Sequence, residues 1–141
     1  MSRSFADIEI GDEIGPVVRV ATREVVQRYG TVAGLVDRRF LDLDRARQTG
    51  FLNPIVPGPL NATFLAQMLI DHFTGWRLRT LNNSFRTPVA HGDTLTFWGT
   101  VTEKSEAEGT ATIYCDVIAE NGQGERVIVA TATLQPRERQ R

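Results

Sequence analysis

An α+β domain, with a curved antiparallel sheet wrapped around one long central helix, follows from three features of the sequence. A broad apolar helix pattern runs from about Pro59 to Phe73. Nearly everything after it alternates as strand. Between the helix and what precedes it lies Asn53-Pro54-Ile55-Val56-Pro57-Gly58-Pro59, a stiff loop holding three prolines, Pro54, Pro57 and Pro59, and a single glycine.

The elements follow in order. Val17-Val18-Arg19-Val20 reads as a short strand. Thr22 is a plausible N-cap for a helix carrying Glu24 and Val25-Val26-Gln27-Arg28-Tyr29. Gly34 to Gly50 is polar and predicts one helical turn at Asp42–Arg47. In the long helix, Leu60, Phe64, Leu65, Met68, Leu69 and Phe73 fall at spacings of three and four. Ala62, Ala66 and Ile70 lie between them, so the apolar surface is broad, as for a helix buried on most sides. Pro59 suits the first turn, where its missing N–H costs nothing. Gly58 permits close approach of a backbone or ligand, and unpaired N–H groups at such a start attract an oxyanion or a thioester carbonyl. A stiff loop capping a core helix is the plainer reading of the same residues.

Four strands are predicted after the helix. Arg77 to Val89 carries Leu78, Leu81 and Phe85 before Pro88. Thr94 to Val101 puts Leu95, Phe97 and Val101 on one face, and Thr110 to Ile118 aligns Ala111, Ile113, Cys115 and Val117. Glu120-Asn121-Gly122-Gln123-Gly124 contains Asn-Gly, a hairpin-turn signal, before a last strand at Arg126–Leu134. One sheet on one helix leaves an edge and an apolar flank, and edge-to-edge dimerisation covers both.

The chain has 141 residues, which suits one domain over residues 1–136 with a charged tail at 137–141. Hydrophobic residues make up 41% and charged residues 23%, an ordinary globular balance. A formal net charge of -1 gives no reason to expect nucleic acid or an anionic membrane as partner. No apolar run reaches membrane-spanning length, and the first residues lack the apolar core of a signal peptide. The single cysteine, Cys115, excludes an internal disulfide, and a cytoplasmic location is the expectation. No cysteine, histidine or carboxylate cluster has metal-binding spacing, and no phosphate-binding glycine motif is present.

The phrase Ser84-Phe85-Arg86-Thr87-Pro88-Val89-Ala90-His91-Gly92-Asp93-Thr94-Leu95, the long helix and the order of elements resemble the MaoC-like acyl dehydratases, or (R)-specific enoyl-CoA hydratases, which have the hotdog fold. Phe5-Ala6-Asp7-Ile8-Glu9-Ile10-Gly11-Asp12 is similar to their opening phrase, as is Thr22-Arg23-Glu24 before the first helix. The resemblance covers nearly the whole chain. It implies chemistry that interconverts 2-enoyl and (3R)-hydroxyacyl thioesters. The family's typical motif, roughly Gly-Asp-Phe-Asn-Pro-Ile-His, supplies an acid/base pair that must reach one water and one double bond. A backbone N–H in a His-Gly-Met phrase at the start of the long helix polarises the thioester carbonyl.

On this chain the motif falls on Gly34-Leu35-Val36-Asp37-Arg38-Arg39-Phe40. Leu35 stands at the Asp position and Phe40 at the His position, and neither side chain transfers a proton. The His-Gly-Met phrase becomes Pro57-Gly58-Pro59, so the resemblance keeps Gly58 as the carbonyl donor while the acid/base pair is missing.

Other residues carry alternatives. Asp37 is a candidate substitute acid or base, a partner for Arg38 or Arg39, or a solvated loop carboxylate. Asn61 holds a ligand's polar group, or it caps the helix or supports the loop. Arg86 is an exposed sheet arginine or a contact for coenzyme A phosphates. His72 reads as a helix-end residue, His91 as a turn residue and Cys115 as a small buried hydrophobe.

Three functions fit these residues. In the first, the chain is a non-catalytic subunit or acyl-thioester binder in acyl-CoA metabolism. It would form a homodimer, or a heterodimer with a second MaoC-like chain. In the second, it is a hydratase or acyl-CoA thioesterase with a relocated acid or base, Asp37 or Asp71. In the third, it is a binding module whose apolar tunnel is lined by Leu35, Phe40, Phe64 and Phe85. None needs a cofactor; coenzyme A enters as the thioester substrate or ligand.

Overall fold

The computed structural model of the chain describes residues 3–34, 42–50 and 54–137. Five strands form one antiparallel sheet: β1 (Glu13–Val20), β2 (Trp76–Phe85), β3 (Thr94–Ala107), β4 (Thr110–Glu120) and β5 (Arg126–Pro136). Their order across the sheet is β1-β3-β4-β5-β2. Three helices accompany them: α1 (Arg23–Ala33), α2 (Leu43–Gln48) and α3 (Gly58–His72), and a short 3-10 turn at Phe5–Asp7 precedes β1. The α+β layout expected from the sequence is present.

The core lies between α3 and one face of the sheet. Leu65, Met68, Leu69 and Phe73 are buried along the helix, against Leu95 and Phe97 of β3, Ile113, Cys115 and Val117 of β4, and Ile128 and Leu134 of β5. Leu95, Phe97 and Val101 share the buried face of β3, as their alternation predicts. Burial pushes the Cys115 thiol up to about 12, with the neighbouring Asp116 charge adding to the shift. The thiol therefore stays protonated at neutral pH, and Cys115 behaves as a core side chain.

Local signals act where the sequence places them. Thr22 caps α1, its hydroxyl accepting the Val25 N–H at 3.3 Å. Asp42 caps α2 by accepting from Asp44 and Arg45 N–H at 2.9 and 3.4 Å. The β4–β5 connection turns on Asn121, whose Oδ1 accepts from Gln123 and Glu125 N–H at 3.0 and 2.9 Å. The left-handed residue of that turn is Gly124 (φ +79°), not the glycine of the Asn-Gly pair. The extra length is closed by the Asn121 side chain instead of a two-residue primed turn.

The strand limits differ from the sequence reading for tertiary reasons. β1 starts at Glu13 because its ladder with β3 begins at Glu13↔Thr100 and absorbs Gly15 and Pro16 in an irregularity between Ile14 and Val17. β3 continues through the polar stretch to Ala107 because β4 pairs with it from Thr110 onwards. β2 stops at Phe85, short of Pro88, where the ladder with β5 ends at Phe85↔Ile128. β2 is an edge strand, hydrogen-bonded only to β5 within the sheet. Among the described residues, no helix is long and apolar enough to cross a membrane.

Candidate functional site

The loop that leads into α3 is anchored to the segment after β2. Val56 N–H donates to Val89 O at 2.6 Å and His91 N–H donates to Pro54 O at 3.0 Å. Ile55 and Ala90 form an isolated bridge between these hydrogen bonds. The turn at His91 is tied in its own right: Asp93 Oδ2 accepts the Ala90 N–H at 3.1 Å, and Gly92 N–H donates to Ala21 O at 3.1 Å. Proline geometry and these bonds fix where the helix begins.

At that point the helix has one donor to spare. A helix start leaves its first N–H groups without intrahelical partners. Here Leu60 and Asn61 N–H both turn back to Pro57 O, at 3.1 and 3.4 Å, and Pro59 has no N–H. No side chain caps the helix, and its first turn contains no acidic residue. The Gly58 N–H is thus the unbonded donor of the first turn among the described residues, at the positive end of the helix dipole.

Gly58 opens onto a cavity of about 460 Å³ between the helix start and the end of β2. Val56, Pro59, Phe85, Pro88 and Ile128 give it an apolar lining. Asn61 and Arg86 bring polar atoms to it. No carboxylate, imidazole or thiol is among its described lining residues. The absence of a side chain at Gly58 is structural here. A Cβ would meet Cε1 and Cδ1 of Phe85 at 3.0 and 3.1 Å, so even alanine would displace the ring.

Among the described residues Asn61 is the buried polar residue of the core, 3% exposed, and its Oδ1 has no hydrogen-bond partner. It does not cap the helix or brace the loop, the structural roles open to it in the sequence. Asn83 Oδ1, two residues before Phe85 on the same face of β2, is also buried without a partner. Sequence reasoning did not single out Asn83, and an asparagine in an edge strand carries no distinguishing signal. Phe85 is half-exposed and Arg86 is exposed at the cavity's rim.

The structure therefore brings Gly58, Asn61, Phe85 and Arg86 together. Phe64 lies elsewhere on the helix surface: its ring packs edge-on against Phe97 at 6.3 Å, with the Arg19 guanidinium 5.8 Å from its centroid. Leu35, Asp37 and Phe40 lie outside the described residues. Asp71 is at the opposite end of α3 and accepts a bond from Gln67 Nε2 at 2.7 Å. At 1.5 Å rise per residue it stands roughly 20 Å from Gly58, too far to act on a carbonyl held there. His72 is also at that far end, where its Nε2 faces Arg3 Nη1 at 3.1 Å. Among the described residues, no cluster of metal-ligating side chains occurs.

This architecture is found in known proteins. The chain superposes on the (R)-hydratase from A. caviae involved in PHA biosynthesis with a TM-score of 0.83 and 21% identity, covering 92% of this chain and 98% of that one. The MaoC-like dehydratase from Rhodospirillum rubrum matches with a TM-score of 0.81 and 19% identity, over 97% and 98% of the two chains. The chain has the MaoC-like hotdog fold.

The ChsH1-ChsH2 complex from Mycobacterium tuberculosis also contains this fold, with a TM-score of 0.81 and 18% identity, covering 92% of this chain and 98% of the matched one. In sequence, a UPF0336 protein from Clavibacter michiganensis subsp. michiganensis is 27% identical over 121 residues, 79% of this chain and 81% of that protein. No protein-family profile matches the chain.

Proposed function

We propose that this hotdog protein binds acyl thioesters of coenzyme A at the start of α3 and does so as a non-catalytic subunit. The observation that carries the reading is the helix start itself: Gly58, whose N–H is unbonded, and Asn61, whose Oδ1 is buried without a partner, both line one apolar cavity. A thioester carbonyl accepts the Gly58 N–H, aided by the helix dipole. The acyl chain lies against Val56, Phe85 and Ile128, and the phosphates of coenzyme A lie outside, near Arg86.

Binding alone does not hydrate a double bond. The pair of groups that would move protons is replaced by Leu35 and Phe40 in the motif the family uses for them. Holding the carbonyl lowers the barrier only when a base and an acid also reach the substrate.

The edge strand supports a partner. The outer edge of β2 is left without a strand neighbour among the described residues, and Phe85, at its end, is 53% exposed beside the cavity. Pairing β2 with another hotdog chain satisfies that edge and shields the ring. The ChsH1-ChsH2 complex is a heteromeric assembly with this fold, which favours a second MaoC-like chain carrying an intact Asp/His pair over a copy of this one.

The test is a hydration assay with crotonyl-CoA. The purified chain alone is expected to bind the thioester without turnover. Mixed with a MaoC-like chain that keeps the pair, it is expected to support or enhance turnover. Hydration by the chain alone at ordinary enzyme rates, lost in Asp37→Asn, would replace this reading with a relocated active site.

A further inference from the structure

We infer that the outer edge of β2 docks a chain whose own edge strand presents carboxylates, and that Arg77, Arg79 and Arg86 select it. This rests on the pairing of β2 proposed above and adds the chemistry of the partner's strand. The ground for it is an uneven spread of charge. The chain as a whole is nearly balanced, at -1. The β2 side is not: from Gly75 to Gly92 there are three arginines and no acidic residue. β5, the neighbour of β2, has no acidic residue either, and its one charged side chain, Arg126, stands opposite Glu120 of β4 in the register. The carboxylates of the sheet lie on the other strands: Glu13 on β1, Glu103 and Glu106 on β3, Asp116 and Glu120 on β4.

Arg77, Arg79 and Arg86 are exposed, and among the described residues none of them makes an ion pair. Unneutralised like charges on an open edge act against wrong partners. An antiparallel pair of two identical β2 strands sets the Trp76 end of each against the Phe85 end of the other. Arg77 and Arg79 of one copy then approach Arg86 of its twin at both ends of the interface, with no carboxylate on either strand to neutralise them. Long side chains reach the direct and diagonal neighbours on a paired strand, where like charges destabilise. A carboxylate in those places reverses the sign and accepts two parallel bonds from a guanidinium. One seat for it is already shaped: Arg77 and Arg137 line a hollow of about 310 Å³ with Thr110 and Gln135. The edge is thus open to an acidic strand and closed to its own copy.

Charge reversal tests this with the chain itself. Sedimentation equilibrium is run on the unmodified chain and on Arg77→Glu/Arg79→Glu, at about 0.05 M and about 0.5 M salt. The reversal places carboxylates near Arg86 at both ends of a self-paired edge. The variant is therefore expected to dimerise about 10-fold more tightly than the unmodified chain at the lower salt. Added salt is expected to weaken the variant's dimer and not to weaken association of the unmodified chain, because screening removes attraction in one and repulsion in the other. Arg23→Glu/Arg28→Glu changes the net charge equally at two exposed arginines of α1 and is expected to behave like the unmodified chain. Equal dimerisation of the α1 variant and the β2 variant would assign the effect to net charge and overturn the inference. An unmodified chain that dimerises as tightly as the β2 variant, or less tightly as salt rises, would overturn it while leaving β2 as an interface; this salt response needs no variant to fold. A folded β2 variant that stays monomeric at low salt would overturn the inference and the pairing of β2 together.

Discussion

The two ends of α3 are built on opposite terms. At the C-terminal end, polar groups find protein partners. Trp76 Nε1–H donates to Arg3 O at 2.8 Å, Arg3 N–H to Thr74 O at 3.0 Å, and Phe73 N–H to Leu69 O at 3.0 Å. Arg3 meets His72, and Lys104 Nζ donates to Phe5 O at 2.7 Å while lying 4.2 Å from the centre of the Phe5 ring. At the N-terminal end, the Gly58 N–H is unbonded, Asn61 Oδ1 is buried without a partner, and a cavity takes the place of packing. The same helix is closed where it holds the fold together and open where a ligand can complete it. Polar groups left unsatisfied next to a cavity are a site's signature more than a packing fault, because folds otherwise pair what they bury.

Changes at the closed end are expected to alter stability and leave ligand binding untouched. The largest effect is expected from Phe73→Ala, which empties a fully buried position at the C-terminal end of the helix. A loss of about 3–5 kcal/mol is the expectation for deleting such a ring, read from urea unfolding. Thioester affinity per folded molecule should be unchanged, and a matching loss of affinity would show that the two ends are coupled. Trp76→Phe comes next. It keeps the aromatic contact with Phe5, whose ring centre is 6.3 Å away, and removes the bond to Arg3 O. The expected cost is about 1 kcal/mol, and a neutral result would mean that the N-terminal strap is held by its other bonds.

The smallest effect concerns pH. Burial holds the His72 pKa below its ordinary value of 6.5, with the Arg3 charge adding to the shift and Asp12 opposing it. The unfolded chain therefore binds a proton at a higher pH than the folded one. The contribution of neutral His72 to stability is present above about pH 6.5 and is lost as pH falls from there through the folded pKa. Unfolding midpoints at pH 7.5 and 5.5 should differ less in His72→Gln than in the unmodified chain. An equal difference in both would assign the acid sensitivity to other groups.

Much of the closed end was legible in the sequence, and little of the open end was. Spacings of three and four from Leu60 to Phe73 marked α3, and alternation marked β3 and β4, because burial on one face imposes those periods. Thr22 announced its helix as an N-cap, whereas the turn expected at Asp42–Arg47 lies one residue on, with Asp42 outside it as the cap. Local signals misplaced the ends of β1, β2 and β3, where the ladder partner decides how far pairing runs. Gly58 and Asn61 were visible as candidates, but an asparagine's burial and its lack of a partner are products of tertiary packing and have no local pattern. Phe85 illustrates both sides: its place in a strand was readable, while its ring against Gly58 depends on where β2 meets the helix start.

The most direct test of an acyl-thioester site at the open end of α3 is a calorimetric titration of butyryl-CoA into the unmodified chain, Gly58→Ala and Trp76→Phe. The methyl group at residue 58 would stand 3.0 Å from Phe85 Cε1, so the ring that lines the cavity must give way by a few tenths of an ångström. Gly58→Ala is expected to bind about 10-fold more weakly, as for the loss of one well-placed contact, with its fold intact. Trp76→Phe is expected to bind like the unmodified chain. Undetectable binding by the unmodified chain, or equal binding by Gly58→Ala, would contradict the account.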